Sequence, residues 1–106
     1  MHFRLKLMTL TTPRTRVFEV FSDPSHAWLK VRKADLRKMH GKLWRKHYTM
    51  FSHERRDHVF LEEDTDVSTF RKALEKKNIP YRFKERNQCN HCSPIRRYIP
   101  LQPIGD

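Results

Sequence analysis

Acid is scarce in this chain. Twelve Asp and Glu residues stand against 23 Lys and Arg, a formal net charge of +11 on 106 residues. Folding does not call for that excess, because like charges repel in a compact state. A polyanionic partner does call for it, so nucleic acid, an anionic membrane or a complex that holds nucleic acid is expected. Glycine is rarer still, with 2 residues, which excludes a collagen-like or low-complexity chain. Long apolar runs are missing; none approaches the roughly 18 residues of a membrane span. The N-terminal stretch lacks the continuous apolar segment of a secretory signal. Its first 18 residues hold four basic residues and no acid, as an organellar transit peptide would, but without the Ser enrichment of such peptides. The 2 Cys, Cys89 and Cys92, make no secreted disulfide framework, and a reducing cytoplasm fits them best.

Aromatic residues are not lacking. The 7 Phe, 3 Tyr and 2 Trp suffice for one modest core and are too many for an unfolded tail. The length fits one domain. The reading divides it into an N-terminal extension over 1–15, an α+β unit over 16–86 and an irregular tail over 87–106.

Along the chain the periodicities alternate between strand and helix. Residues 2–7, 16–21 and 27–32 alternate as strands, with Ala27, Leu29 and Val31 as the inward face of the third. Residues 33–40 predict a short helix ended by Gly41, with Leu36, Met39 and Leu43 on one side. Residues 47–52 and 58–62 predict two strands joined by a polar turn over 53–57. Residues 66–77 form the strongest pattern: Val67, Phe70, Ala73 and Leu74 make a helical stripe, with acids at its start and bases at its end. Asn78 and Pro80 stop it. Residues 81–86 predict a last strand. From Ala27 the order is β-α-β-β-α-β, which predicts a small antiparallel sheet with two helices on one face, a ferredoxin-like arrangement preceded by extra N-terminal strands.

Several clusters carry chemistry. The densest basic block holds Lys30, Arg32, Lys33, Arg37, Lys38, Lys42, Arg45 and Lys46, with Asp35 as its one acid. Trp44 lies inside it, and an aromatic ring can stack on an unpaired base while cations meet phosphates. Arg71–Arg86 supplies a second basic block. Cys89, His91 and Cys92 have zinc-ligand chemistry, and His53 or His58 could supply a fourth ligand. A second ligand pair is missing, so free thiols and no metal are expected. Glu62, Glu63, Asp64 and Asp66 could hold Mg²⁺, but their place before a helix predicts capping instead. His26, Glu63 and Arg96 could meet in a secondary site. The plainer expectation places Trp28 in or near the core and Arg96 in a salt bridge with the acidic cluster.

Three blocks also resemble a family of small proteins encoded by phages, prophages and plasmids. The first is His26, Trp28, Leu29 and Val31. The second is Leu61, Glu62, Glu63, Asp64, Asp66, Phe70, Ala73 and Leu74. The third is Ser93, Pro94, Ile95 and Arg96. The likeness spans roughly residues 18–98 and implies a mobile-element origin, a host-cell cytoplasmic setting and no particular reaction. Charge and resemblance together lead to an expectation: a non-enzymatic, basic nucleic-acid-binding protein without cofactor or metal. Its contact would be Lys30–Lys46. The alternative is a modulator that docks on a host nucleic-acid-processing or defence complex.

Overall fold

The computed structural model describes residues 14–88, 91 and 93–105. The expected strand over 2–7 and the two thiols lie outside the described residues. Six strands form one mixed sheet: β1 Arg16–Ser22, β2 Ala27–Arg32, β3 His53–Arg55, β4 His58–Glu62, β5 Tyr81–Gln88 and β6 Ile99–Pro100. Two α-helices accompany them, α1 Lys33–His40 and α2 Asp66–Lys76, with 3₁₀ turns at Trp44–His47 and Pro94–Arg97. No described helix is long and apolar enough to cross a membrane.

The sheet runs β5-β1-β2-β4-β3-β6, and this corrects the expected topology. In the ferredoxin-like order β5 would lie beside β2. Here β1 lies between them, antiparallel to β2 and parallel to β5. The sheet is therefore mixed, and it is larger than the four-stranded core of that fold. At the other edge, β6 pairs with β3, so part of the expected tail is sheet. The hairpin also moves. Residues 47–52 form the end of a 3₁₀ turn and a loop, and the strand falls on β3, inside the expected polar turn. Arg56 takes φ 54°, so the reversal narrows to Arg56 and Asp57.

Alternation along the strands sets two cores. On the helical side Phe18, Leu29, Val31, Val59 and Leu61 meet Leu36 of α1 and Phe70 and Leu74 of α2. Phe18 and Phe70 pack edge to face at 5.1 Å. On the opposite side Trp28, Phe60 and Ile95 form a smaller core, so β2 is buried on both faces near its start. Leu43, expected beside Leu36, is 61% exposed.

Two buried carboxylates hold the loops in place. Asp66, at the start of α2, accepts from the Thr49 amide, the Thr49 hydroxyl and Ser52 Oγ, tying the 49–52 loop to the helix. Glu54 on β3 accepts from Arg45 at 2.9 and 3.1 Å, from Lys33 Nζ at 2.7 Å and from the Gln102 amide at 2.9 Å. α2 ends as its sequence predicts, with Asn78 at φ 57°.

Candidate nucleic-acid interface and an adjoining cleft

The face of the sheet turned away from the helices divides into two halves. Cross-strand register places Lys84, Glu19, Lys30, Phe60 and His53 in one row across β5, β1, β2, β4 and β3. Arg32, His58 and Arg55 form the next row. Val17 and Arg82 are paired two residues before Glu19 and Lys84. A shallow groove runs along this half, lined by Val17, Glu19, Lys30, Arg32, His58, Lys84 and Arg86. Its acids are engaged: Glu19 meets Arg86 at 3.2 Å, and Asp35 at the margin accepts from Arg32 at 3.0 and 3.2 Å. The His58 imidazole has its pKa lowered, first by partial burial and then by the charge of Lys30. The other half is covered by Pro94–Arg97 and Tyr98, which lie over Trp28 and Phe60.

The linear basic block therefore comes apart in space. Lys30 and Arg32 stand on the open face. Arg37, Lys38, Lys42 and Lys46 are exposed on α1 and the segment after it. Lys38 lies beside Met39, Phe70 and Leu74, on the helical side of the sheet. Lys33 and Arg45 are spent on Glu54, with side chains 13% and 6% exposed. Trp44, expected to stack on a base, is fully buried in the core with Arg45 over its ring at 4.5 Å. Trp44 and Arg45 are thus withdrawn from the candidate contact, because burial leaves no face for a ligand. Arg82, Lys84 and Arg86, from the second block, take their place beside Lys30 and Arg32.

The secondary trio fares differently. His26, Glu63 and Arg96 line one cleft of about 470 Å³, together with Trp28, Met50, Phe51, His53 and Asp64. Arg96 is held there by Asp23 at 2.6 and 2.9 Å, not by the acidic cluster as expected. The Arg96 guanidinium holds the Asp23 carboxyl well below the usual carboxylate range, against the opposing effect of burial. Asp23 also accepts from the amides of Ser25, His26 and Ser93, so it organises the turn before β2 and anchors the C-terminal segment at once. Arg96 lies 5.8 Å from the Trp28 ring. His26 and His53 flank that ring at 5.9 and 6.4 Å. The pKa of His53 is lowered by burial, then by Arg96 and His26.

The acidic cluster splits by role. Glu62 accepts from the amides of Asp64, Thr65 and Asp66, which ties the loop to the start of α2. Asp66 is spent on Thr49 and Ser52. Glu63 and Asp64 are exposed. No group of three His, Cys, Asp or Glu suited to a metal ion occurs among the described residues. Sequence reading missed Asp23, Phe51 and His53. The periodicity places Phe51 in a strand over 47–52 and His53 in a polar turn, with a fourth zinc ligand as its one chemical role, and gives Asp23 no role at a site. No linear signal joins these three positions, because a turn, a loop and a strand start meet only through the sheet.

Comparison with known proteins gives no match: no protein-family model, no curated protein and no solved structure is similar to this chain.

Proposed function

We propose that this protein binds single-stranded nucleic acid on the open half of its sheet, as a non-enzymatic binding module. One observation carries the reading. Lys30 and Arg32 from one part of the chain, and Arg82, Lys84 and Arg86 from another, share one sheet face that no other described element covers, and the described acids beside them are already engaged. Side chains two residues apart on β2 project about 7 Å from each other, and Lys84 lies about 10 Å across β1 from Lys30. Such an array meets a backbone of phosphates at several points and releases counterions at each. Base-edge chemistry is sparse on this half, so the contact is to the backbone and tolerates any sequence.

Fluorescence anisotropy with labelled DNA and RNA oligomers, repeated over a salt series, tests the reading. Binding that weakens linearly on a log–log plot against salt supports it. Failure to bind any naked oligomer, with recovery of one protein complex from cells after nuclease treatment, overturns it in favour of docking on a host complex.

A further inference from the structure

The cleft that holds His26, Trp28 and Arg96 lies on the same sheet face as the cationic groove, one residue pair further along. Trp28 precedes Lys30 by two positions on β2, and Glu62 follows Phe60 by two on β4. Three features mark it as more than a packing defect. Phe51 at its rim is 71% exposed and the adjacent Met50 is 65% exposed, an apolar pair presented to water at a concave site. Next, the side-chain carboxylates of Glu63 and Asp64 line the cleft with no hydrogen-bond or ion-pair partner among the described residues, whereas those of Asp23, Glu62 and Asp66 are all engaged. Finally, Nδ1 of His53 is buried and has no hydrogen-bond partner among the described residues. Buried polar atoms are ordinarily paired, and this one leaves a residue of the cleft wall with unspent hydrogen-bonding capacity.

These features select the part of a nucleic acid that fits. Unpaired carboxylates repel a phosphate, so the backbone does not enter. A base does, because it is planar, uncharged and carries N–H donors on its edge. Phe51 offers a ring to stack on. Among the bases, guanine alone presents two donors side by side, N1–H and N2–H, to one carboxylate. Adenine and cytosine pair one amino donor with a ring acceptor, and uracil flanks its one N–H with carbonyls. From this we infer that the His26–His53 cleft is a guanine slot beside the backbone-binding face, with Glu63 and Asp64 as the acceptors and Phe51 as the stacking surface. The inference rests on the nucleic-acid reading above and adds base preference to it.

The test uses labelled dodecamers of thymidine, unmodified or carrying one central guanine, hypoxanthine or adenine, at one salt concentration. The guanine oligomer should bind at least about fivefold more tightly than the others, the discrimination of one bidentate contact. Hypoxanthine lacks the 2-amino group and should lose that gain. Glu63→Gln and Asp64→Asn, singly and together, should reduce the preference and leave the salt slope for thymidine unchanged. Phe51→Ala should weaken all four oligomers by a similar factor. Equal binding of the four oligomers, or a preference that survives the double variant, overturns the slot while leaving the backbone contact standing. If no oligomer binds, the nucleic-acid reading falls first and guanosine alone decides the slot. Saturable NMR shifts of the His26 and His53 ring protons with guanosine, and none with inosine, support it. Their absence overturns it.

Discussion

Replacing Lys30, Arg32 and Lys84 together with Gln removes three cations from one sheet face and nothing from the helical core. Each phosphate contact on a single strand contributes about 0.7 to the slope of log K against log salt, so the slope should fall by about 2. Over a fourfold rise in salt the parent then loses about 20-fold more affinity than the variant. The matched control replaces Lys38, Lys42 and Lys46, which removes the same charge from α1 and the segment after it. If the open face is the contact, the control keeps the parental slope to within about half a unit. The folding cost of the first variant falls mainly on Asp35, whose buried carboxylate loses the Arg32 pair and keeps Arg16 at 4.0 Å. The cost at Glu19 is small. Glu19 lies opposite both Lys30 and Lys84, and an opposite-charge cross-strand pair contributes about 0.2–1 kcal/mol. Arg86 remains to neutralise Glu19. Thermal melting of both variants checks that they fold, and anisotropy over a salt series reads the slopes. Equal slope changes in the two variants would show that net charge, and not this face, governs binding.

Glu54→Gln should destabilise the protein by about 3 kcal/mol in urea denaturation, since it leaves Arg45 and Lys33 without their buried partner. Burial pushes the Glu54 carboxyl up, but hydrogen bonds from Arg45 and Lys33 outweigh it and hold the pKa at about 2. Its contribution is therefore complete above the ordinary carboxylate range and lost as pH falls toward 2, which acid unfolding of parent and variant would resolve. His40, half-buried and 2.7 Å from the Tyr48 hydroxyl, is lowered to about 4 by burial and by the neighbouring His47 and Lys77. It should stay neutral from pH 7 to pH 5 in an NMR titration, and the stability it contributes should decline from about pH 6.5 downward. A His40 midpoint near 6.5 would contradict the packing of α1 against Tyr48. Asp23→Asn should loosen the C-terminal segment from the sheet. Amide hydrogen exchange at Arg96 and Tyr98 should quicken while the amides of β4 remain protected, and unchanged exchange would show that Arg96 is not the anchor.

Much of the local structure is legible in the residues themselves. The Val67–Leu74 stripe with Asn78 and Pro80 beyond it determines a helix, because period and stop signal agree over a dozen residues. The alternation in residues 16–21, 27–32 and 58–62 determines strands for the same reason. The charge imbalance is readable without the fold, since composition is independent of it, and it is the ground for expecting a polyanionic partner. What the sequence leaves open is which strand lies beside which. β1 reads as an N-terminal addition, yet it lies inside the sheet between β5 and β2, because pairing with β5 depends on contacts more than 60 residues apart in the chain. That pairing decides the candidate site. It brings Arg82 and Lys84 onto the sheet face of Lys30 and Arg32, across β1. Trp44 and Arg45 look like a surface motif until the fold buries them against Glu54 and the core. His26, Glu63 and Arg96 are 33 or more positions apart and meet only because β2, β4 and the C-terminal segment converge on Trp28. A one-dimensional pattern reports the period of each segment. The face a charge occupies, and the company it keeps there, follow from strand order and register, which only the tertiary structure decides.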